Sequence, residues 1–277
     1  PMAKKRREEK IKDAVHEKNN EKRVMHDKFW NRVMFPIMDI SNHVIAFGGR
    51  VMGDGKPKYL NSPETAIFDK SRNLYALNYA RTARKGSVIL CEGYMDVISM
   101  HQAGFTQAVA SLGTSFTEGQ ANILRRYSEN VLLAYDSDGP GISAALRAIK
   151  ILKSAGMSGR VINMQPYKDP DEFIKALGPE EFQKRLDSAE NSFLFEVRIS
   201  ERDYDMQDPE SRTRFQKSVA QRLCEFEEGA ERDNYMLAVS EKYGIKPDNL
   251  RKLVISFASE PGFVRASEQP ISGVKDS

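Results

Sequence analysis

Cysteine, histidine, tryptophan and long apolar runs are all scarce in these 277 residues. The two cysteines, Cys91 and Cys224, stand far apart inside apolar periodic segments, which reads as small buried thiols in a reducing compartment. With four scattered histidines they write no Cys/His zinc pattern, so no zinc site is expected. No stretch of about 18 apolar residues occurs, which argues against a membrane-spanning helix. The basic N-terminus lacks the apolar centre of a secretion signal. These absences predict a cytoplasmic protein with no membrane partner.

What is present is ordinary in amount and uneven in placement. Apolar residues make up 40% and charged residues 29%, which supports two or three compact units. Residues 1–34 carry 11 Lys/Arg against 6 Asp/Glu, and the remainder 31 against 33. A basic front and an acidic remainder suit a protein that meets phosphate at one end and holds metal at the other. A solvated charged helix followed by an ordinary surface accounts for the same charges.

The chain divides by texture. Residues 1–28 are highly charged with little apolar periodicity, a polar helix or a disordered segment. The β-rich runs VMFPIMDI and HVIAFGGRVM, then the turn-rich GDGKPK, predict a small β-containing module over about residues 29–60, the start of a basic subdomain at 29–86 with a helix from near Lys70. Over 87–178 four apolar runs (SVILC, QAVAS, NVLLAY, RVINM) alternate with helical patterns. Strands apolar throughout argue for a parallel sheet covered by helices on both faces, an α/β fold within an α+β whole. Residues 179–258 read as helical, with Asp208 capping a helix that Pro209 opens, and 259–277 as a disordered tail.

Three acid pairs fall where those strands end: Glu92 and Asp96, Asp136 and Asp138, Asp169 and Asp171. Singly, each has a structural reading. DPDE is a good helix start, Asp138 before Gly139 is a turn residue, and Asp96 suits a first helical turn. Jointly they crowd one edge of one sheet, and carboxylates a few ångströms apart must protonate or find a cation. Mg²⁺ or Mn²⁺, which take carboxylate oxygens and bridge to phosphates, are the expected cofactors.

The Glu-Gly and Asp of CEGYMD, with DSD and DPD on later strands, resemble the Toprim domain of primases, topoisomerases and some nucleases. The segments FWNRVMFPIMD, VIAFGGRV, PKYLNSPET, IFDKSRNLY, AVASLGT and YKDPDEFI resemble the DnaG-type bacterial DNA primase over about residues 29–257. That resemblance implies that Glu92 is the acid near the reacting centre, catalytic together with Asp136 and Asp138. It implies that Asp96, Asp136, Asp138, Asp169 and Asp171 join Glu92 in binding metal. It places Arg50, Lys58 and Lys70 on the basic side of the family's cleft, with Arg32 and Asn61 as further contacts to template or nucleotide. The implied partners are a single-stranded DNA template, ribonucleoside triphosphates, the RNA primer and, in full-length members, the replicative helicase.

Departures from the family pattern are visible. The Cys/His cluster of the family's zinc-binding module does not occur in these residues, residues 1–28 do not resemble the family's N-terminal subdomain, Ala46 replaces a common Gly, and Gln120 replaces a frequent His. The resemblance therefore implies a catalytic-core fragment that makes short RNA primers by nucleotidyl transfer. A remnant that binds DNA or helicase without catalysis, and a Toprim nuclease, remain alternatives.

Overall fold

The computed structural model describes residues 27–113 and 115–259. The expectations for residues 1–26 and for the tail beyond 259 lie outside the described residues. Two compact units emerge among the described residues, one holding those up to Phe35 plus Phe47–Ser62, the other Pro36–Ala46 and those from Pro63.

Strands β1 (Arg32–Met38), β2 (Val44–Val51) and β3 (Tyr59–Asn61) form a sheet in that order, where the β-rich runs predicted it. β3 pairs antiparallel to β2, with Asn61 opposite Gly48 and Tyr59 opposite Arg50. The hairpin tip belongs to the second unit, where Asn78 Nδ2 donates to Asn42 Oδ1 at 2.8 Å.

No continuous helix starts at Lys70. Lys70–Arg72 is a single 3₁₀ turn, and α1 (Leu77–Ala80) is short. Local bonds compete with the helix: Asp69 accepts from Ser71 N–H at 2.8 Å, and Asn73 Nδ2 donates to the Asp69 carbonyl at 2.7 Å. Tyr75 then bridges to Ala110, and Ala76 turns left-handed (φ 64). The Gln120 side chain holds this segment, donating to the carbonyls of Lys70 and Asn73 at 2.9 Å each.

The second unit is built on β4 (Val88–Cys91), β5 (Ala108–Ala110), β6 (Asn130–Ala134), β7 (Ser158–Val161) and β8 (Glu190–Asn191), in the order β5-β4-β6-β7-β8. The first four are parallel, as the apolar runs predicted, and β8 adds an antiparallel edge that no pattern announced. β7 starts earlier than expected and ends at Val161, although Ile162 N–H still reaches the Leu133 carbonyl at 2.9 Å.

Strand residues alternate between two cores, because successive side chains leave a strand on opposite faces. Val88, Leu90, Val131 and Leu133 pack under α3 (Glu118–Leu124) and α4 (Gly139–Ser154). Ile89, Cys91, Ala110 and Ala134 pack under α2 (Tyr94–Gln102) and α5 (Pro170–Asp187). α5 breaks at Gly178 (φ 83), followed by Pro179, where the sequence separates two helical stretches. Helices α6 (Ser192–Glu201), α7 (Pro209–Leu223), α8 (Gly229–Tyr243) and α9 (Pro247–Ala258) close over a third core around Phe215, Val219 and Leu250. Asp208 caps α7, accepting from Ser211 N–H at 2.7 Å. Both cysteines are buried and free. None of the described helices is long and apolar enough to cross a membrane.

Candidate active site

The strand order puts β4 between β5 and β6, so the connection leaving β4 and the one reaching β6 run to opposite sides. In open parallel sheets the crevice at such a switch point, outside the carboxyl ends of the strands, is where ligands sit. Glu92 follows β4 and Asp136 follows β6, one on each side of it.

The acids meet there. Glu92 Oε1 accepts from Asp136 N–H at 3.1 Å. Burial raises the Glu92 carboxyl above its ordinary range, and the neighbouring Asp136 charge raises it further. Asp136 is raised as well: burial outweighs the opposing hydrogen bond from Lys168. Asp96 is only 9% exposed, on the first turn of α2, with Oδ2 accepting from Gly93 N–H at 3.1 Å. Burial first, then the charges of Asp169, Asp136 and Asp171, push it up to about 7. Glu92, Asp96 and Asp136, with the charges of Asp169 and Asp171 beside them, form one electrostatic cluster.

Asp138 and Asp169 each begin a helix. Asp138 Oδ1 accepts from Gly141 N–H at 2.9 Å, and Asp169 Oδ1 from Glu172 N–H at 2.8 Å. The structural and metal-binding readings of these residues are compatible, since a capping carboxylate keeps its second oxygen. Asp171 is engaged by Lys175 at 2.6 Å.

Two residues of the site escaped sequence reasoning. Lys168 Nζ lies 3.3 Å from Asp136 Oδ2 and 3.8 Å from Asp138 Oδ2. Its backbone carbonyl accepts from Ser137 N–H at 2.8 Å, tying the two acid loops together. Its place directly before DPD put it beside one acid pair, but nothing in the sequence linked it to Asp136 and Asp138. Gly141 is the other: a Cβ there would stand 2.2 Å from the Asp136 carbonyl oxygen, so only glycine lets α4 start this close.

Among the described residues, no group of three or more His, Cys, Asp or Glu stands close enough to hold a metal ion as placed. The donor set nevertheless suits a hard divalent cation that keeps several waters, being carboxylate oxygen throughout. The Lys168 ammonium marks a place where positive charge fits between Asp136 and Asp138.

The basic candidates are distributed differently. Arg32 Nη1 donates to the Gly49 carbonyl at 3.2 Å, and the Arg50 guanidinium lies 5.8 Å from the Tyr59 ring centre. Lys58 is exposed before β3, whose last residue is Asn61. These four belong to the first unit, whereas Lys70 shares the second with the acids.

Residues 89–174 match the Toprim-like family, and residues 2–81 match the DNA primase catalytic core, N-terminal domain. The second match begins well before residue 29, where the resemblance was read, and so takes in most of the charged N-terminal segment. The DNA primase of Clostridium acetobutylicum is 40% identical over 241 residues, covering 87% of this chain and 40% of that protein. The chain thus spans about two-fifths of the length of the curated relatives it matches. A solved DNA primase domain from Pseudomonas aeruginosa superposes with TM-score 0.69 at 34% identity, covering 85% of this chain and 76% of that one. A DnaG primase catalytic domain bound to ssDNA superposes with TM-score 0.69 at 36% identity, covering 80% and 72%.

Proposed function

The chain belongs to the DnaG-type DNA primase family, and from that premise we propose that it is the RNA-polymerising core of such an enzyme. It would extend a primer on single-stranded DNA by attack of a 3′-hydroxyl on the α-phosphate of a ribonucleoside triphosphate, releasing pyrophosphate. The observation that carries this reading is the gathering of carboxylates at the switch point, with Glu92 Oε1 on the Asp136 amide and Glu92, Asp96 and Asp136 all raised by burial and by neighbouring acids.

Each residue has a role in this scheme. Asp136 and Asp138, with Asp96, Asp169 and Asp171 around them, are assigned to Mg²⁺ or Mn²⁺. When bound, such an ion supplies charge that makes the hydroxyl easier to ionise and offsets the charge on the leaving pyrophosphate. Glu92, held by the Asp136 amide and raised by burial, is placed to exchange a proton with the attacking hydroxyl. Lys168 holds the two aspartates in register and is a ready partner for nucleotide phosphate. Arg32, Arg50, Lys58 and Asn61 on the small sheet, and Lys70, are assigned to template or nucleotide phosphates. Residues 87–178 are assigned as the polymerising domain, 29–86 as the basic subdomain and 179–258 as a helical cap with a partner-facing role.

The test is ribonucleotide incorporation on single-stranded DNA with Mg²⁺ or Mn²⁺, comparing this chain with Asp136→Ala. Incorporation by the chain alone supports the reading, and equal incorporation by both refutes the metal assignment. DNA binding without incorporation by either would favour a binding remnant, and shortening of the DNA would favour a nuclease.

A further inference from the structure

Away from the carboxylates, the second unit carries an open apolar pocket of about 120 Å³. Met38 and Ile40 from the hairpin between β1 and β2, Leu74 and Leu77 from the entry to α1, and Ile123 from α3 form its walls. Leu74 and Leu77 are a buried floor, whereas Ile40 is 45% exposed at the rim. α3 leads from the carboxyl end of β5 back to the start of β6, so its last turn lies toward the amino edge of the sheet, away from the acids. An apolar cavity of about 150 Å³ takes one benzene-sized guest, so this pocket has room for one side chain of Leu or Phe size.

The rim is cationic. Arg72 and Arg126 line the pocket, and Arg81 follows one turn after Leu77, its N–H on the Leu77 carbonyl at 3.0 Å. All three side chains are exposed. Arg81 and Arg126 form no ion pair among the described residues, and Arg72 stands only loosely against Asp69, at 3.9 Å. The acids beside the pocket are engaged elsewhere. Asp69 Oδ1 accepts from Ser71 N–H at 2.8 Å and from its hydroxyl at 2.7 Å. Asp39 Oδ1 accepts from Ser41 N–H at 2.8 Å and His43 N–H at 2.9 Å. An apolar floor thus sits under arginines whose own partners are weak or missing.

Shape and charge together select the guest. A nucleobase is edged with hydrogen-bonding groups that these aliphatic walls would leave unpaired. A Leu or Phe side chain has no such groups and gains its burial. Carboxylates flanking it match guanidinium groups, which bind carboxylate through paired N–H donors. We propose that this pocket docks an acidic peptide segment of another protein. One bulky apolar side chain fills the pocket between Ile40 and Ile123, and neighbouring carboxylates pair with Arg72, Arg126 and Arg81. A segment seated there leaves the Glu92–Asp136 edge open, so it recruits a partner without occupying the candidate active site. The assignment stands independently of whether the chain polymerises.

The experiment is fluorescence anisotropy on the full chain with fluorescein-labelled peptides, each carrying one variable residue (Phe, Leu or Ala) flanked on both sides by aspartates. A labelled single-stranded oligothymidylate is the nucleic-acid control. Wild type is compared with Ile40→Asp and Arg126→Glu, both exposed positions that keep the melting temperature near wild type. The Phe or Leu peptide is expected to bind wild type roughly tenfold or more tightly than the Ala peptide, the worth of burying one side chain. Ile40→Asp is expected to erase that preference. Arg126→Glu is expected to weaken every acidic peptide by roughly three- to tenfold, while oligothymidylate affinity is unchanged in both variants. Wild type that binds no peptide, or binds all three equally, overturns the proposal. A preference for Phe or Leu that survives both variants places the peptide elsewhere and also overturns it. Loss of oligothymidylate in Arg126→Glu, with no preference among peptides in wild type, reassigns the surface to nucleic acid.

Discussion

Asp96→Asn separates what the acid cluster does for chemistry from what it costs the fold. Asp96 is almost fully buried, and its carboxyl is pushed from 3.8 in the free residue to about 7 by burial and by Asp169, Asp136 and Asp171. Between those values the native protein keeps a proton that the unfolded chain releases. Stability therefore falls as pH rises from about 4 to about 7, and the loss is complete above 7. At about 1.4 kcal/mol per pH unit the full interval is worth about 4 kcal/mol, and 2–4 kcal/mol is a fair range for one buried group. Asparagine never ionises and can still accept from Gly93 N–H through its amide oxygen. The expected result is a variant about 2–4 kcal/mol more stable than wild type at pH 8 in chelator, with most of that gain gone at pH 4.5. Urea denaturation at the two pH values measures it. Added Mn²⁺ should then stabilise wild type more than the variant, because a ligand that binds only the native state adds stability in proportion to its affinity. A variant no more stable than wild type at pH 8, or a gain that does not change with pH, would refute the reasoning.

Other perturbations give equally direct readings. Lys168→Met removes a cation from Asp136 and Asp138 and should tighten Mn²⁺ by roughly two- to fivefold, as measured by titration of the free-ion EPR signal. Unchanged binding would show that the lysine is a spectator, and weaker binding that its hold on the two aspartates outweighs its competition with the ion. Gly141→Ala drives a methyl against the Asp136 carbonyl and should cost about 2–3 kcal/mol in urea denaturation while weakening Mn²⁺. Arg222→Met strands Glu196, whose carboxyl burial already raises against the pull of Arg222 at 3.3 Å. The variant should lose about 1–3 kcal/mol at pH 8 and less at pH 5, where the stranded acid can take a proton.

The sheet was legible because its strands are apolar on both faces. VILC, AVA and VLLA have no amphipathic alternative, and the glycines after them punctuate the helices between. β8 was not, since Glu190–Asn191 has neither length nor pattern and pairs only because α5 delivers it beside β7. The segment after Lys70 misled because side-chain bonds from Asp69 and Asn73 and the Tyr75–Ala110 bridge override a helical composition. The acid pairs could be read because three repeat the same placement at strand ends. Lys168 and Gly141 act through neighbours distant in sequence, and a lone lysine or glycine carries no signal of that.

The double duty of Asp138 and Asp169 has an evolutionary consequence. Asparagine caps a helix as well as aspartate does, so exchanging either acid for its amide removes the charge that the proposed metal site would use while leaving the helix start intact. Under the proposed function, catalysis at this edge can therefore be lost in one mutational step without a folding defect to expose the loss. A lineage could drift from polymerase to passive DNA-binding scaffold by a path that selection on stability alone would never detect.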